Sequence, residues 1–121
     1  MREILFRGRR SWGNKKWVEG DLLHGYNGYV GITKKLLGIE TWQVEPETVG
    51  QYTGLTDKNG NKIFEGDILS ASKRNGVVVW HDDCGGYCVK HGFNGRSIIL
   101  VMNDFDVEVI GNIHDNPELL K

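Results

Sequence analysis

Short runs of Val, Ile, Tyr and Trp recur along this chain, and most are bounded by glycine. Glycine fills 17 of the 121 positions, about twice its ~7% average share, while proline fills 2. Glycine loses more backbone freedom on ordering than any other residue, so this density disfavours long helices. It suits short strands joined by tight turns, and a β-rich chain is expected. A chain of this length fits one compact domain or two small intertwined subdomains.

The pattern predicts a first strand in which Ile4 and Phe6 share a face, then a loop through Gly8 and Ser11–Asn14. Lys16–Glu19 and Leu22–His24 read as extended segments around a Gly20-Asp21 bend. Asn27-Gly28 predicts a two-residue hairpin turn between Tyr26 and Val30, because Asn-Gly accepts positive φ. Lys34–Trp42 is irregular and reads as strand and loop, and Pro46 belongs at a strand start or an edge. From Gln51 onward the pattern is regular. Strands are expected at Ile68–Ser72, Val77–Trp80, Tyr87–Lys90, Ser97–Met102 and Val107–Ile113, with turns at Asn75-Gly76, Cys84-Gly85-Gly86 and Asn94-Gly95. Consecutive antiparallel hairpins of this kind form a meander, and curling it into a small barrel removes the exposed edges. The predicted core is Tyr52, Ile63, Phe64, Ile68, Val77, Val79, Ile98, Leu100, Val109 and Ile113, uncertain by one register. Asn116-Pro117-Glu118 starts a terminal helical turn.

The most informative segment is Val49–Leu69, VGQYTGLTDKNGNKIFEGDIL. It holds a tight-turn signal at Lys58–Asn61 and the Glu65-Gly66-Asp67 approach to a strand. Gly54, Gly60 and Gly66 are expected at bends that a side chain would strain. Trp17–Leu23 and Ile63–Leu69 share an apolar–apolar–Glu-Gly-Asp–apolar–Leu pattern, read as one turn-into-strand device used twice.

Formal net charge is −1, but its distribution is uneven. Residues 1–17 carry Arg2, Arg7, Arg9, Arg10, Lys15 and Lys16 against Glu3. The chain therefore lacks a whole-domain polyanion footprint and has a basic N-terminal strip instead. Arg7, Arg9, Arg10, Lys15 and Lys16 lie near Trp12 and Trp17, so phosphate contact and base stacking define a nucleic-acid reading. The alternative is a solvated strand edge blunted by cations, with Trp17 in the core. Three apolar residues after Met1-Arg2-Glu3 are too few for a secretory signal, and no run approaches ~20 apolar residues. Cytoplasmic localisation, no membrane partner and reduced thiols are expected.

His81, Cys84, Cys88 and His91 form H-x2-C-x3-C-x2-H, a donor set that suggests zinc. On a strand through residues 86–91, however, Cys88 and His91 face opposite ways, and the close C-x2-C knuckle is missing. Turn-plus-strand placement is the better reading. Asp57, Asn59 and Asn61 have a calcium-like look, but position 6 from Asp57 is Lys62 and position 12 is Ile68. Asp82-Asp83 on a strand diverge, and no catalytic motif accompanies the scattered histidines. No catalytic residue, metal or cofactor is assigned, and an enzyme is not expected.

Several stretches together resemble the YopX family of phage and prophage proteins: Val49–Leu55, Asp57–Gly60, Ile63–Ile68, Gly76-Val77-Val78, Arg2–Arg7 and Ile110–Leu120. The resemblance covers nearly the whole chain, leaving Asn27–Trp42 unmatched. It implies a β-rich α+β fold: an N-terminal α+β self-association region (residues 1–54), then a C-terminal SH3-like small β-barrel (residues 55–121), intertwined as one compact unit. Lys34–Gly38 is the helix candidate in the first part. Gly54, Asp57, Gly60, Glu65, Gly66 and Asp67 are then structural signature residues. The family carries no established activity, so no functional residue transfers. The expectation is an accessory protein acting as a protein-interaction or self-assembly module, a homo-oligomer or the partner of a phage or host protein. The alternative is a nucleic-acid binder using Arg7, Arg9, Arg10, Trp12, Lys15 and Lys16.

Overall fold

The structure is a computed structural model, which describes residues 3–34, 40–71, 74–82, 85–91, 97–99 and 107–120. These residues are mostly strand and divide into two units, Met1–Tyr52 and Thr53–Lys121. No helix among them is long and apolar enough to cross a membrane.

The first unit contains β1 (Phe6–Arg9), β2 (Trp17–His24), β3 (Val30–Lys34) and β4 (Glu40–Gln43). They pair antiparallel in chain order, and β1 also pairs with the start of β5 (Gly50–Thr56). β2 runs unbroken through the predicted Gly20-Asp21 bend. Trp17–Gly20 pair with β1 and Asp21–His24 with β3, so the glycine marks a change of partner inside one strand. At the hairpin tip Asn27 and Gly28 take φ of 56° and 78°, as a mirror-image turn requires.

A single bridge, Arg10 to Val44, joins the residue after β1 to the residue after β4. It is fastened by Ser11 N–H to Gln43 O at 3.1 Å and Glu45 N–H to Arg9 O at 2.8 Å. The sheet therefore curls, and Ile32 and Val44 lose nearly all solvent contact. Gly8, predicted as loop, lies inside β1 because the curl leaves no room for a side chain there. A Cβ on it would come within 2.9 Å of Val44 Cβ.

An N-terminal α+β region is not supported. Among the described residues of this unit the helical segment is the 3-10 turn Pro46–Thr48, since Tyr26–Gly28, with Asn27 and Gly28 at positive φ, is the mirror-image hairpin turn. In the helix candidate Lys34–Gly38, Lys34 closes β3, and the other residues lie outside the described ones. β3 carries β-branched Val30, Ile32 and Thr33, which fit a pleated surface better than a helix. Pro46 opens its 3-10 turn, where a missing N–H leaves nothing unsatisfied.

The second unit contains the end of β5, β6 (Lys62–Phe64), β7 (Asp67–Ala71), β8 (Arg74–His81), β9 (Gly86–His91), β10 (Ser97–Ile99) and β11 (Glu108–Asn112). β7 to β10 form the predicted meander, and β11 returns to the free side of β7, giving the order β10-β9-β8-β7-β11. No ladder joins β10 to β11 among the described residues, so this antiparallel sheet is not a closed barrel.

Asn75 and Gly76 are not a turn but lie within β8, opposite Ser70 and Leu69. The Asn75 side chain is engaged elsewhere: its Nδ2 donates to Leu119 O at 2.8 Å, tying β8 to the terminal 3-10 turn Pro117–Leu120. The next turn closes one residue early, with Gly85 N–H donating to Asp82 O and Gly86 opening β9. The Asn94-Gly95 turn and Met102 lie outside the described residues. The repeated Glu-Gly-Asp pattern serves two devices, since Glu65-Gly66 turn into β7 whereas Glu19–Asp21 stay within β2.

Both faces of the β7–β9 ladder are buried, which explains the register uncertainty in the core. Ile68, Val77 and Cys88 occupy one face; Leu69, Val78, Tyr87 and Val89 occupy the other. The latter cluster with Ile63 and Val107, flanked by Leu55 and Val109. Tyr52, Ile63, Phe64, Ile68 and Val77 are buried as predicted, while Val79 and Ile113 are half-buried. The Ile98 side chain and Leu100 lie outside the description. Alternation alone misses Leu69, Val78 and Val89 because it assumes a single buried face.

Replacing Gly8 with alanine is expected to lower stability by about 1–3 kcal/mol through overpacking against Val44. Urea denaturation measures it; a midpoint equal to that of the wild type would show that the curl tolerates a methyl group.

Candidate functional site

The basic strip divides once its partners are in place. Arg7 and Arg9 alternate with Phe6 and Gly8 along β1, so both project from the face opposite the Gly8–Val44 contact. Arg9 meets Glu45 side-on, with Nε to Oε1 and Nη2 to Oε2 both at 3.1 Å. Lys15 Nζ lies 3.6 Å from the same Oε1. Thr48 braces this pair: its Oγ1 accepts the Arg9 N–H at 2.9 Å and donates to Glu45 O at 2.6 Å. The Arg9 hydrogen bond holds the Glu45 carboxyl below its ordinary 4.5, outweighing desolvation, and the charges of Arg9 and Lys15 add to it. Arg7 stacks over Trp17, with its guanidinium carbon 4.8 Å from the ring centre. Arg7 and Arg9 thus act within the fold.

The rest of the strip forms a loop. Arg10 N–H donates to Lys16 O at 2.9 Å, closing the segment between them, and Ser11 anchors it to Gln43. Gly13 and Lys15 take positive φ of 77° and 52°, which turns the chain sharply around Trp12. Trp12 is 66% exposed, and the Arg10 guanidinium covers its ring at 5.8 Å. Lys16 is exposed, with no ion pair among the described residues. The structure therefore brings Arg10, Trp12, Lys15 and Lys16 together on one short loop.

The signature residues of Val49–Leu69 are placed differently. Asp57 is buried, and both its oxygens are taken. Oδ1 accepts the Asn59 and Asn61 N–H groups at 2.9 and 2.8 Å. Oδ2 accepts Asn61 Nδ2 at 3.2 Å and the Val109 N–H at 3.0 Å. Burial pushes this carboxyl up, but the donors from Val109, Asn61 and Asn59 win and leave it below its ordinary 3.8. The calcium-like spacing is thus a carboxylate holding the β5–β6 turn against β11. Asp67 likewise caps the next turn, accepting the Phe64 N–H at 2.7 Å. Gly54, Gly60 and Gly66 have φ of 89°, 84° and 92°. Gly66 matters most, because its N–H donates to Val78 O and its carbonyl accepts from Ile113, so a strained side chain there would disturb its bonds to β8 and to the turn after β11. Glu65 is half-buried in the same turn.

Of the zinc-like set, Cys88 is buried on β9. Cys84 and the side chains of His81 and His91 lie outside the description.

The protein-family model described as YopX protein matches residues 10–121. The chain belongs to the YopX family. No curated protein matches it. Among solved structures it is similar to protein EF1440 from Enterococcus faecalis, known from a crystal structure. That likeness covers 100% of each chain at 25% identity, with a TM-score of 0.58. In this YopX-family chain the recognisable Asp57–Asp67 segment is turn-capping architecture, and an exposed indole with cations beside it lies on the loop after β1.

Glu45 is what a charge count over residues 1–17 misses. The signal is Glu45-Pro46-Glu47-Thr48, a proline turn carrying an acid and a hydroxyl that the curl returns to β1.

Asp57→Asn should cost about 1–3 kcal/mol, because an amide nitrogen would face N–H donors in a buried place. Both shifted carboxyls lie lower in the folded chain, so their contribution is complete above the unfolded pKa values and fades as pH falls through the folded ones. The melting temperature should hold near neutrality and drop below the usual carboxylate range. Asp57→Asn should flatten part of that drop; an unaltered acid limb in this variant would contradict the assignment.

Proposed function

We propose that the protein is a non-catalytic accessory module of phage or prophage origin that works in the bacterial cytoplasm by self-association through its first unit. The observation that carries this reading is Tyr26, which is 93% exposed at the tip of the β2–β3 hairpin. Its neighbour Tyr29 folds down over Gly31, where an added Cβ would lie 3.1 Å from the phenol oxygen. The turn is also fixed by Gly25 N–H to Tyr29 O at 2.9 Å. A rigid turn thus displays one tyrosine outward, and Leu23 on the adjoining strand is exposed as well. Tyrosine on a preorganised surface binds with little ordering cost, and aromatic residues dominate interface hot spots. The family resemblance, which implies N-terminal self-association, supports a second copy of the chain as partner.

Sedimentation velocity over a concentration series tests this. The wild type should associate. Tyr26→Ser should weaken association by about tenfold or more, as loss of a ~2 kcal/mol hot spot would, with the melting temperature unchanged. A wild type that sediments as a monomer throughout would remove the reading.

The Arg10–Lys16 loop favours a second reading, nucleic-acid binding, which uses a different surface. Its support is a cationic loop carrying an exposed indole. Arg10→Ala combined with Lys16→Ala should weaken oligonucleotide binding at low salt, measured by fluorescence anisotropy. Arg9→Ala should instead destabilise the fold, because it removes the two-point contact to Glu45 that holds the curl. Absence of binding at low salt would remove this second reading.

A further inference from the structure

We infer that the nucleic acid taken by this loop is single-stranded, with Trp12 as the platform for an unpaired base. This rests on the second reading above and names its ligand class and contacts. A duplex hides its base faces, and reading its groove needs a helix or ribbon to enter it. The cations left to the strip lie on one seven-residue loop, Arg10–Lys16, with no acid in it. Arg10 lies over the indole, yet the tryptophan remains largely exposed. A ring supported in this way offers surface to a base and does not depend on base identity.

Phosphate contact falls to Lys15 and Lys16. Lys15 is 58% exposed and approaches a carboxylate whose two oxygens already meet Arg9. It can turn to a phosphate while Glu45 keeps its principal partner. Lys16 has no ion pair to give up among the described residues. The closing bond from Arg10 N–H to Lys16 O and the anchor to Gln43 fix the loop before ligand arrives, which lowers the ordering cost of binding.

The test uses the full chain, a labelled oligothymidylate and a duplex of equal length. The single strand should bind at least about tenfold tighter than the duplex. Trp12→Ala should weaken single-strand binding by about tenfold, as loss of one stacked base would, and Trp12→Phe should restore most of it. The logarithm of affinity should fall against log salt with a slope of about −1.4, two phosphates at ~0.7 each. Melting temperatures of both variants should match the wild type, since the ring is exposed. Equal binding of duplex and single strand, or single-strand binding unaffected by Trp12→Ala, would overturn this inference and leave the second reading standing. No binding to either oligonucleotide would overturn both.

Discussion

A single buried carboxylate organises the second unit. Asp57 cannot sit out of water unless its charge is matched, and the chain supplies four N–H donors to match it. Three come from the turn that follows it; the fourth comes from Val109, distant in sequence. Each such charge-assisted bond is worth about 1.5–3 kcal/mol, yet burial offsets much of that. The net gain is modest and the specificity is large, because β11 must arrive in the register that presents the Val109 N–H. That register sets Val109 opposite Leu69 and places both with the Ile63–Val78–Val89 cluster. Lys58 N–H to Val107 O reinforces the same join. Asp67 then closes the far side of β6, so two acids bracket one short strand.

The first unit uses a related device with a different consequence. Glu45 returns to β1 because the Arg10–Val44 bridge curls the sheet, and there it meets Arg9 with Thr48 bracing both. The ion pair and the curl support one another. Gly8 against Val44 allows the close approach that puts Glu45 within reach, and the bidentate contact holds that approach in place. The cost is paid in surface chemistry, since an arginine that sequence position alone would assign to a ligand becomes part of the fold.

The sequence carried a good deal of this and hid the rest for physical reasons. Family membership, the β-rich class and the β7–β9 meander were legible because turn residues and β-branched runs act locally. The Asn27-Gly28 turn is legible for the same reason: positive φ is a property of two adjacent residues. Asn75-Gly76 has the same letters and a different role, because Leu119 claims the asparagine side chain and Leu69 pairs with the glycine. No local rule contains that contact. The core register was blurred because alternation assumes one wet face, whereas Ile68 and Leu69 are both buried. An N-terminal helix came from resemblance, while Val30–Thr33 themselves favour a strand. The candidate site shows the same division. The basic strip was visible as composition, but the division of its members depends on Glu45, some thirty-six positions from Arg9, and on a curl that no window of residues displays.

That division changes what the surface can do. A strip of five cations acting together would attract any polyanion at long range. With Arg9 neutralised by Glu45, the long-range attraction weakens, while Arg7 keeps its charge but is stacked on Trp17 within the fold. What remains outward is an indole under an arginine, a lysine with an interchangeable partner and another lysine with none among the described residues. Few charges beside one exposed ring favour a ligand that offers a flat face along with its phosphates. Tyr26 is displayed from the β2–β3 turn, at the other end of β2 from the Trp12 loop. The two proposed surfaces therefore occupy opposite ends of one strand, so that self-association through Tyr26 would leave the Trp12 loop open.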